Sequence, residues 1–308
     1  MNVRHLLSVT SLLIMELSFS KITPYLSANA QEVIHLTKEK SKQPIIAIGD
    51  LHADLKSAQR AFYIAGVTDQ EGHWILRNTI VVQTGDLTDR GPDGEPLLKW
   101  IRSLEAQAIA HHSQFIVLLG NHEVMNLHGD WRYVSQKDIQ GFGGLAAREL
   151  SFSLQRKGEW ASWLIGKSAV VQLGDTVFVH GGVSERFAAP ADQISRKISE
   201  AIHAQPDHPL LGSLGPLWYR GYWLKTEKDA CQEARSVLKV MGAKRMVMGH
   251  TTRQDGRIAS RCNGIIFAID TGISSVYGGY PAALKITRDK VFAIYEGEQV
   301  QLSPQNKY

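Results

Sequence analysis

Cysteine is nearly absent from this chain: Cys231 and Cys262 are the only two in 308 residues. Neither stands in a catalytic motif, so thiol nucleophiles are set aside. The pair could form a disulfide in an exported protein or remain two buried free thiols. Long apolar runs are also missing. The most apolar stretch runs only from Leu6 to Phe19. It falls short of the ~20 residues that span a bilayer. At 44 % apolar residues the chain can build a sizeable core. The same figure is too low for a multi-span membrane protein. Charge of one sign is scarce, with 34 Lys and Arg against 30 Asp and Glu and a net charge of +4. No run of Lys and Arg forms a basic stripe, so nucleic-acid binding is not expected. There is no internal repeat, no low-complexity block and no long internal linker, which argues for one domain.

What is present begins with the leader. A basic start containing Arg4 precedes the Leu6 to Phe19 stretch. Ala28-Asn29-Ala30 fits a small-x-small cleavage site. The expectation is export with cleavage after Ala30 and no permanent membrane anchor, the destination being the periplasm if the cell is a double-membrane bacterium. Glu16 interrupts the apolar stretch; the alternatives are an uncleaved anchor or an amphipathic leader. The organisation expected is a signal peptide over 1–30, a linker over 31–43, a catalytic domain over 44–300 and a tail over 301–308.

From Pro44 onward short apolar runs alternate with helical patterns. Strands are predicted at Pro44–Ile48, Thr79–Gln83, Phe115–Leu119, Ala169–Leu173, Thr176–Val179, Arg245–Met248 and Ile265–Ile269. A hairpin is predicted at Ala283–Thr287 and Val291–Tyr295. Helices are predicted at Ala53–Ala65, Glu95–Ala110, Ile139–Arg156, Ala191–His203 and Lys228–Met241. The alternation indicates an α/β fold with at least one mostly parallel sheet.

Polar motifs follow five of these strands: Gly49-Asp50-Leu51-His52, Gly85-Asp86-Leu87-Thr88-Asp89-Arg90-Gly91, Gly120-Asn121-His122-Glu123, His180-Gly181-Gly182 and Gly249-His250-Thr251. Ligands of open α/β sheets bind beyond the carboxyl ends of strands. Gly-Asp-x-His alone is weak, Gly-Asn-His-Glu and Gly-Asp-x-x-Asp-Arg-Gly are progressively rarer by chance, and a single His is more often a hydrogen-bonded core residue than a ligand. Five motifs converging on one edge, in a chain with 12 His, are another matter.

Carboxylate and imidazole donors suit two hard cations, one carboxylate bridging them, that clamp phosphoryl oxygens and activate water. Asp50 and His52 can face one ion, Asp86 is placed to bridge, and Asn121, His180 and His250 can complete the second. A donor set without Cys suits Mn, Fe or Zn. His122 can enter the site without ligating metal and protonate a leaving oxygen. Asp89 can hold its tautomer, and Arg90 offers a planar fork to a phosphate.

In this order the motifs resemble the phosphoprotein phosphatases among the metallophosphoesterases, over about Ile45 to Ile286. The run Gly120-Asn121-His122-Glu123-Val124-Met125-Asn126-Leu127, followed by Gly129-Asp130-Trp131-Arg132-Tyr133-Val134, resembles the bacterial Shewanella-like branch. Gly215-Pro216-Leu217-Trp218-Tyr219-Arg220 does too. The resemblance implies a β-sandwich of mixed sheets flanked by helices and two divalent or trivalent metals held by Asp50, His52, Asp86, Asn121, His180 and His250. It implies His122 with Asp89 as the acid pair, Arg90 and Asn121 on the phosphate, and Arg220 as a second clamp. The implied substrate is a phosphorylated protein or a small phosphoester, Tyr and Ser/Thr both open. Three departures stand out. Ala53 replaces a usual Gly, Leu119 stands where the eukaryotic Ser/Thr enzymes carry Arg, and their inhibitor-sensing loop has no evident counterpart near Ser274 to Gly279. Trp218, Tyr219, Tyr222 and Trp223 cluster around Arg220, either as a stacking wall or as loop packing. The rival readings are a dinucleoside polyphosphate hydrolase and a non-catalytic phosphate-binding module.

Overall fold

The computed structural model describes residues 43–204, 206–288 and 290–303. The expected leader over 1–30 lies outside the described residues. Among the described residues no helix is long and apolar enough to cross a membrane.

Two mixed sheets form the centre. The first has six strands: β1 (Ile45–Ile48), β2 (Ile80–Gln83), β3 (Gln114–Val117), β9 (Ala283–Thr287), β10 (Lys290–Tyr295) and β11 (Glu298–Ser303). Their spatial order is β11-β10-β9-β1-β2-β3. β1, β2 and β3 run parallel, with Ile45 opposite Ile80 and Ile80 opposite Gln114. β9 joins β1 antiparallel. The second sheet comprises β4 (Val170–Leu173), β5 (Thr176–Val179), β6 (Arg245–Met248), β7 (Ala259–Arg261) and β8 (Ile266–Ala268), in the order β4-β5-β6-β8-β7.

Period-two alternation decides which side chains meet. Ile45, Ala47, Ile80, Val82, Ile116, Phe178, Val247 and Phe267 form a buried cluster between the sheets. Their neighbours Ile46, Ile48, Val81, Val117, Val177, Val179, Met246 and Met248 face outward into a second cluster that the helices cover. Strands buried on both faces read as continuous apolar runs, as these do.

The helices are α1 (Leu55–Ile64), α2 (Gly94–Ala110), α3 (Asn121–Leu127), α4 (Gln136–Gly141), α5 (Leu145–Phe152), α6 (Glu159–Leu164), α7 (Ala191–Ala204), α8 (Gly221–Leu224) and α9 (Glu227–Met241). Asp54 caps α1 by accepting from the Ser57 N–H at 3.0 Å, which satisfies one of the unpaired donors of the first turn. The single helix predicted over Ile139–Arg156 is corrected to two. Gly143 and Gly144 adopt φ of 85° and 108°. That backbone, open to glycine, ends α4 and restarts the chain as α5. The predicted strands are all present: Thr176–Val179, Arg245–Met248 and Ala283–Thr287 have the predicted bounds, and the others differ by one or two residues at their ends. β7, β11, α3, α6 and α8 were not predicted; each is six residues or fewer except α3, with seven. Cys231 on α9 is joined to Cys262 by a disulfide.

Candidate active site

Each motif begins where a parallel strand ends, so the fold gathers all five at one edge. Two glycines are required by close approach. A Cβ at Gly120 would overlap the Asp86 carboxylate, and one at Gly249 would overlap that of Asp50. Six other residues here hold positive φ without being glycine: His52 (46°), Ala53 (50°), Asp86 (58°), Asp89 (70°), Arg90 (73°) and His250 (64°). Such backbone costs of order 1–3 kcal/mol per residue and gathers where a site over-determines it. Ala53 thus adopts the left-handed conformation for which a Gly was expected.

The predicted donors converge. Asp86 Oδ2 lies 3.2 Å from His180 Nε2 and 3.7 Å from His52 Nε2. His52 Nε2 is 3.9 Å from Asp50 Oδ2. His180 Nε2 is 2.9 Å from Asn121 Oδ1 and 3.1 Å from His250 Nδ1. Asp50, His52, Asp86, Asn121, His180 and His250 are all buried. Two trios of donor atoms lie within 4.8 Å of one another, His52–Asp86–His122 and Asp86–His180–His250, with Asp86 common to both.

These residues fit cations. The His180 Nδ1–H donates to the Thr84 carbonyl at 2.9 Å. That tautomer leaves the Nε2 lone pair facing two oxygen acceptors and an imidazole nitrogen. Acceptors converging in this way are expected around a positive ion. His52 Nδ1 is likewise turned to the Thr88 carbonyl at 3.3 Å. A carbonyl behind the ring fixes its orientation, and Nε2 is aimed at Asp86. His250 Nε2 is buried with no hydrogen-bond partner. Electrostatics agree. Burial holds His52 neutral, its pKa lowered to about 4, because a buried imidazole disfavours its charged form. Burial, then His180, also pushes His250 well below the imidazole range. Burial, then Asp270, raises Asp50. Burial opposes ionisation of Asp86, but His180 and His122 hold it well below the carboxylate range.

His122, expected to enter the site without ligating metal, is itself a member of the first trio, whereas Asp50 is in neither. His122 Nδ1 is 2.7 Å from Asp89 Oδ2 and its Nε2 is 3.8 Å from Asp86 Oδ2. Burial works against its protonation, but Asp86 and Asp89 outweigh it and raise the pKa. At the margin the Arg90 guanidinium lies 3.9 Å over the Tyr133 ring, with Nε unpartnered. The ring face attracts the cation and steadies it there. Arg220 donates Nη1–H to the His250 carbonyl, holding the loop that carries that histidine.

Several contributors escaped the sequence reading. Glu123 is buried at the start of α3, and its carboxylate accepts from the backbone N–H groups of Asp86, Leu87, Thr88 and Gly120 and from the Thr88 hydroxyl. Asn126 and Arg148 bind Asp89. Asp270 is a further buried carboxylate, accepting from the Thr252 hydroxyl and the Gly272 N–H. The 274–279 segment, read as lacking a counterpart, brings the Tyr277 ring to 4.9 Å from His52. Of the aromatic cluster, Tyr219 and Tyr222 are buried, Trp218 meets His250 edge-on at 5.5 Å, and Trp223 lies by Arg253 and Arg261. Glu123 and Asn126 stand inside the Gly120-to-Leu127 run, and Asp270 follows a buried strand as the other site residues do, a signal that was passed over; Arg148 and Tyr277 carry no local signal.

Fold and site together define a metal-dependent phosphoesterase. The sequence profile of the calcineurin-like phosphoesterase family matches residues 43–254, and the chain belongs to that family. An uncharacterised Schizosaccharomyces pombe protein is 34 % identical over 301 residues, covering 92 % of this chain and 89 % of that protein. Shewanella-like protein phosphatase 2 of Arabidopsis thaliana is 30 % identical over 315 residues, covering 85 % and 79 %. The crystal structure of a cold-active protein-tyrosine phosphatase from a psychrophilic Shewanella has the same fold. Its TM-score is 0.74 at 24 % identity, covering 85 % of this chain and 80 % of that one.

Proposed function

We propose that this chain is a protein phosphatase of the Shewanella-like branch, on its bacterial side, that hydrolyses phosphate monoesters without a covalent phospho-enzyme. The observation that carries the reading is the His122–Asp89 couple, 2.7 Å across, set against a buried nest of six predicted metal ligands. That couple, together with Arg90, speaks against a non-catalytic binding module. Asp50, His52 and Asp86 would hold one ion, and Asp86, Asn121, His180 and His250 would hold the other. Mn, Fe or Zn held there would supply positive charge to phosphoryl oxygens and lower the pKa of bound water. Arg90 extends its fork toward the phosphate. Arg220 is the weaker second clamp because one Nη1–H already serves His250. His122 Nε2 gives its proton to the departing oxygen while Asp89 holds Nδ1.

The reading includes export, with cleavage after Ala30; Edman sequencing of the secreted product should begin at Gln31. The activity test is hydrolysis of phosphotyrosine peptide, phosphoserine peptide, p-nitrophenyl phosphate and diadenosine tetraphosphate by the chain from Gln31 onward with added Mn²⁺. Phosphate release from the peptides alone supports a protein phosphatase and ranks Tyr against Ser. Preferential cleavage of the dinucleotide supports the hydrolase reading instead, with Trp218 beside His250 as the stacking surface.

A further inference from the structure

Arg148 is the least expected residue near the site. It sits on α5, fully buried, among the rings of Trp131, Phe142 and Phe152 at 5.1, 5.1 and 4.8 Å. A buried guanidinium is costly unless its donors are matched. Here each arm has a partner. Nε donates to Asp138 Oδ2 at 3.1 Å, Nη1 to Asn126 Oδ1, and Nη2 faces Asp89 Oδ1 at 3.4 Å. Asn126 then passes the constraint on. Its Nδ2 donates to Asp89 Oδ1 at 2.9 Å and to the His122 carbonyl at 2.7 Å. Asp138 is anchored in turn by the Gly94 N–H at 2.7 Å, at the start of α2.

The two oxygens of Asp89 are therefore divided. Oδ1 is held by Asn126 and Arg148, and Oδ2 meets His122 Nδ1 at 2.7 Å. Without the first pair the carboxylate could rotate about its Cβ–Cγ bond and leave the imidazole free to change tautomer. We infer that Arg148, acting with Asn126, is a positioning residue for phosphoryl transfer: it fixes the Asp89 carboxylate and through it the orientation and tautomer of His122, without touching substrate. This rests on the reading of His122 as the acid.

The test separates positioning from plain stability. Arg148→Lys keeps the charge and loses the fork. The double variant Arg148→Met with Asp138→Asn removes the charge pair together and keeps the acceptor for Gly94, so the fold is spared an unpaired buried ion. Both are compared with wild type and His122→Asn as metal-loaded enzymes from Gln31 onward on p-nitrophenyl phosphate and phenyl phosphate. The substrates share a ring, but phenolate needs the proton far more than p-nitrophenolate. The expected result is a kcat loss of ~10²-fold on phenyl phosphate and under about tenfold on p-nitrophenyl phosphate. KM and metal content should stay unchanged, and placing the Arg148 changes in His122→Asn should add nothing. Equal losses on both substrates, or a further loss in the His122→Asn background, overturn the inference while leaving His122 as the acid. If His122→Asn itself shows no leaving-group dependence, the acid assignment and the positioning role fall together.

Discussion

Replacing Glu123 with Gln changes one oxygen to NH₂ and leaves the shape intact, so it isolates the hydrogen bonds that organise the Asp86 turn. Oε1 accepts from the Leu87 and Thr88 N–H groups at 2.8 and 3.0 Å and from the Thr88 hydroxyl at 3.0 Å. Oε2 accepts from the Asp86 and Gly120 N–H groups, both at 2.8 Å. An amide can keep only one of these faces. The milder orientation puts NH₂ at the Oε2 position, losing two bonds and opposing donor to donor. A hydrogen bond to a charged group contributes roughly 1.5–3 kcal/mol, so the loss should be about 3–6 kcal/mol. The assay is urea unfolding with a check that the m-value is unchanged, paired with metal content by mass spectrometry. Asp86 serves both proposed ions, so its displaced backbone should also lower metal retention. Destabilisation under about 1 kcal/mol with full metal content would refute the reasoning that Glu123 builds the turn.

Three further outcomes are expected. His122→Asn should lower turnover by ~10²–10⁴-fold while its metal content matches wild type; metal loss in that variant would instead make His122 a ligand. Arg90→Ala should raise KM for monoesters by about tenfold or more, as loss of a charged phosphate contact implies, and an unchanged KM removes Arg90 from the phosphate. Cys231→Ser combined with Cys262→Ser opens a loop with a sequence separation of 31. Unfolding free energy should then fall by about 3–4 kcal/mol, and a loss below about 1 kcal/mol contradicts a stabilising crosslink.

Much of the fold was legible before the structure. Strands such as Ile45–Ile48 and Arg245–Met248 are short, buried throughout and bounded by Gly or Pro on at least one side. Burial on both faces makes such runs unmistakable. The residues proposed as metal ligands stood out for a related reason. A polar residue directly after a buried strand has little to do except meet a ligand at the sheet edge, and Gly beside it marks the close approach. Short elements were not legible. α3 begins inside the Gly120-Asn121-His122-Glu123 motif, where consecutive polar residues hide the helical pattern. The Gly143-Gly144 break needed backbone angles to distinguish it from an interrupted amphipathic helix.

Amino-acid order alone determined the residues that reach the site along the chain, because a strand delivers its next few side chains to the same edge whatever surrounds it. Only the tertiary structure decided which distant groups orient them. His180 takes its tautomer from Thr84, a sequence separation of 96, and Asp54 ties α1 to Ser275, a separation of 221. Asp89 is held by Arg148 from a helix 59 positions later. Those partners lie on other elements, so no local spacing encodes them. Packing brings them within hydrogen-bonding reach, and burial then makes each bond obligatory, because an unpaired polar group in that interior is too costly to keep.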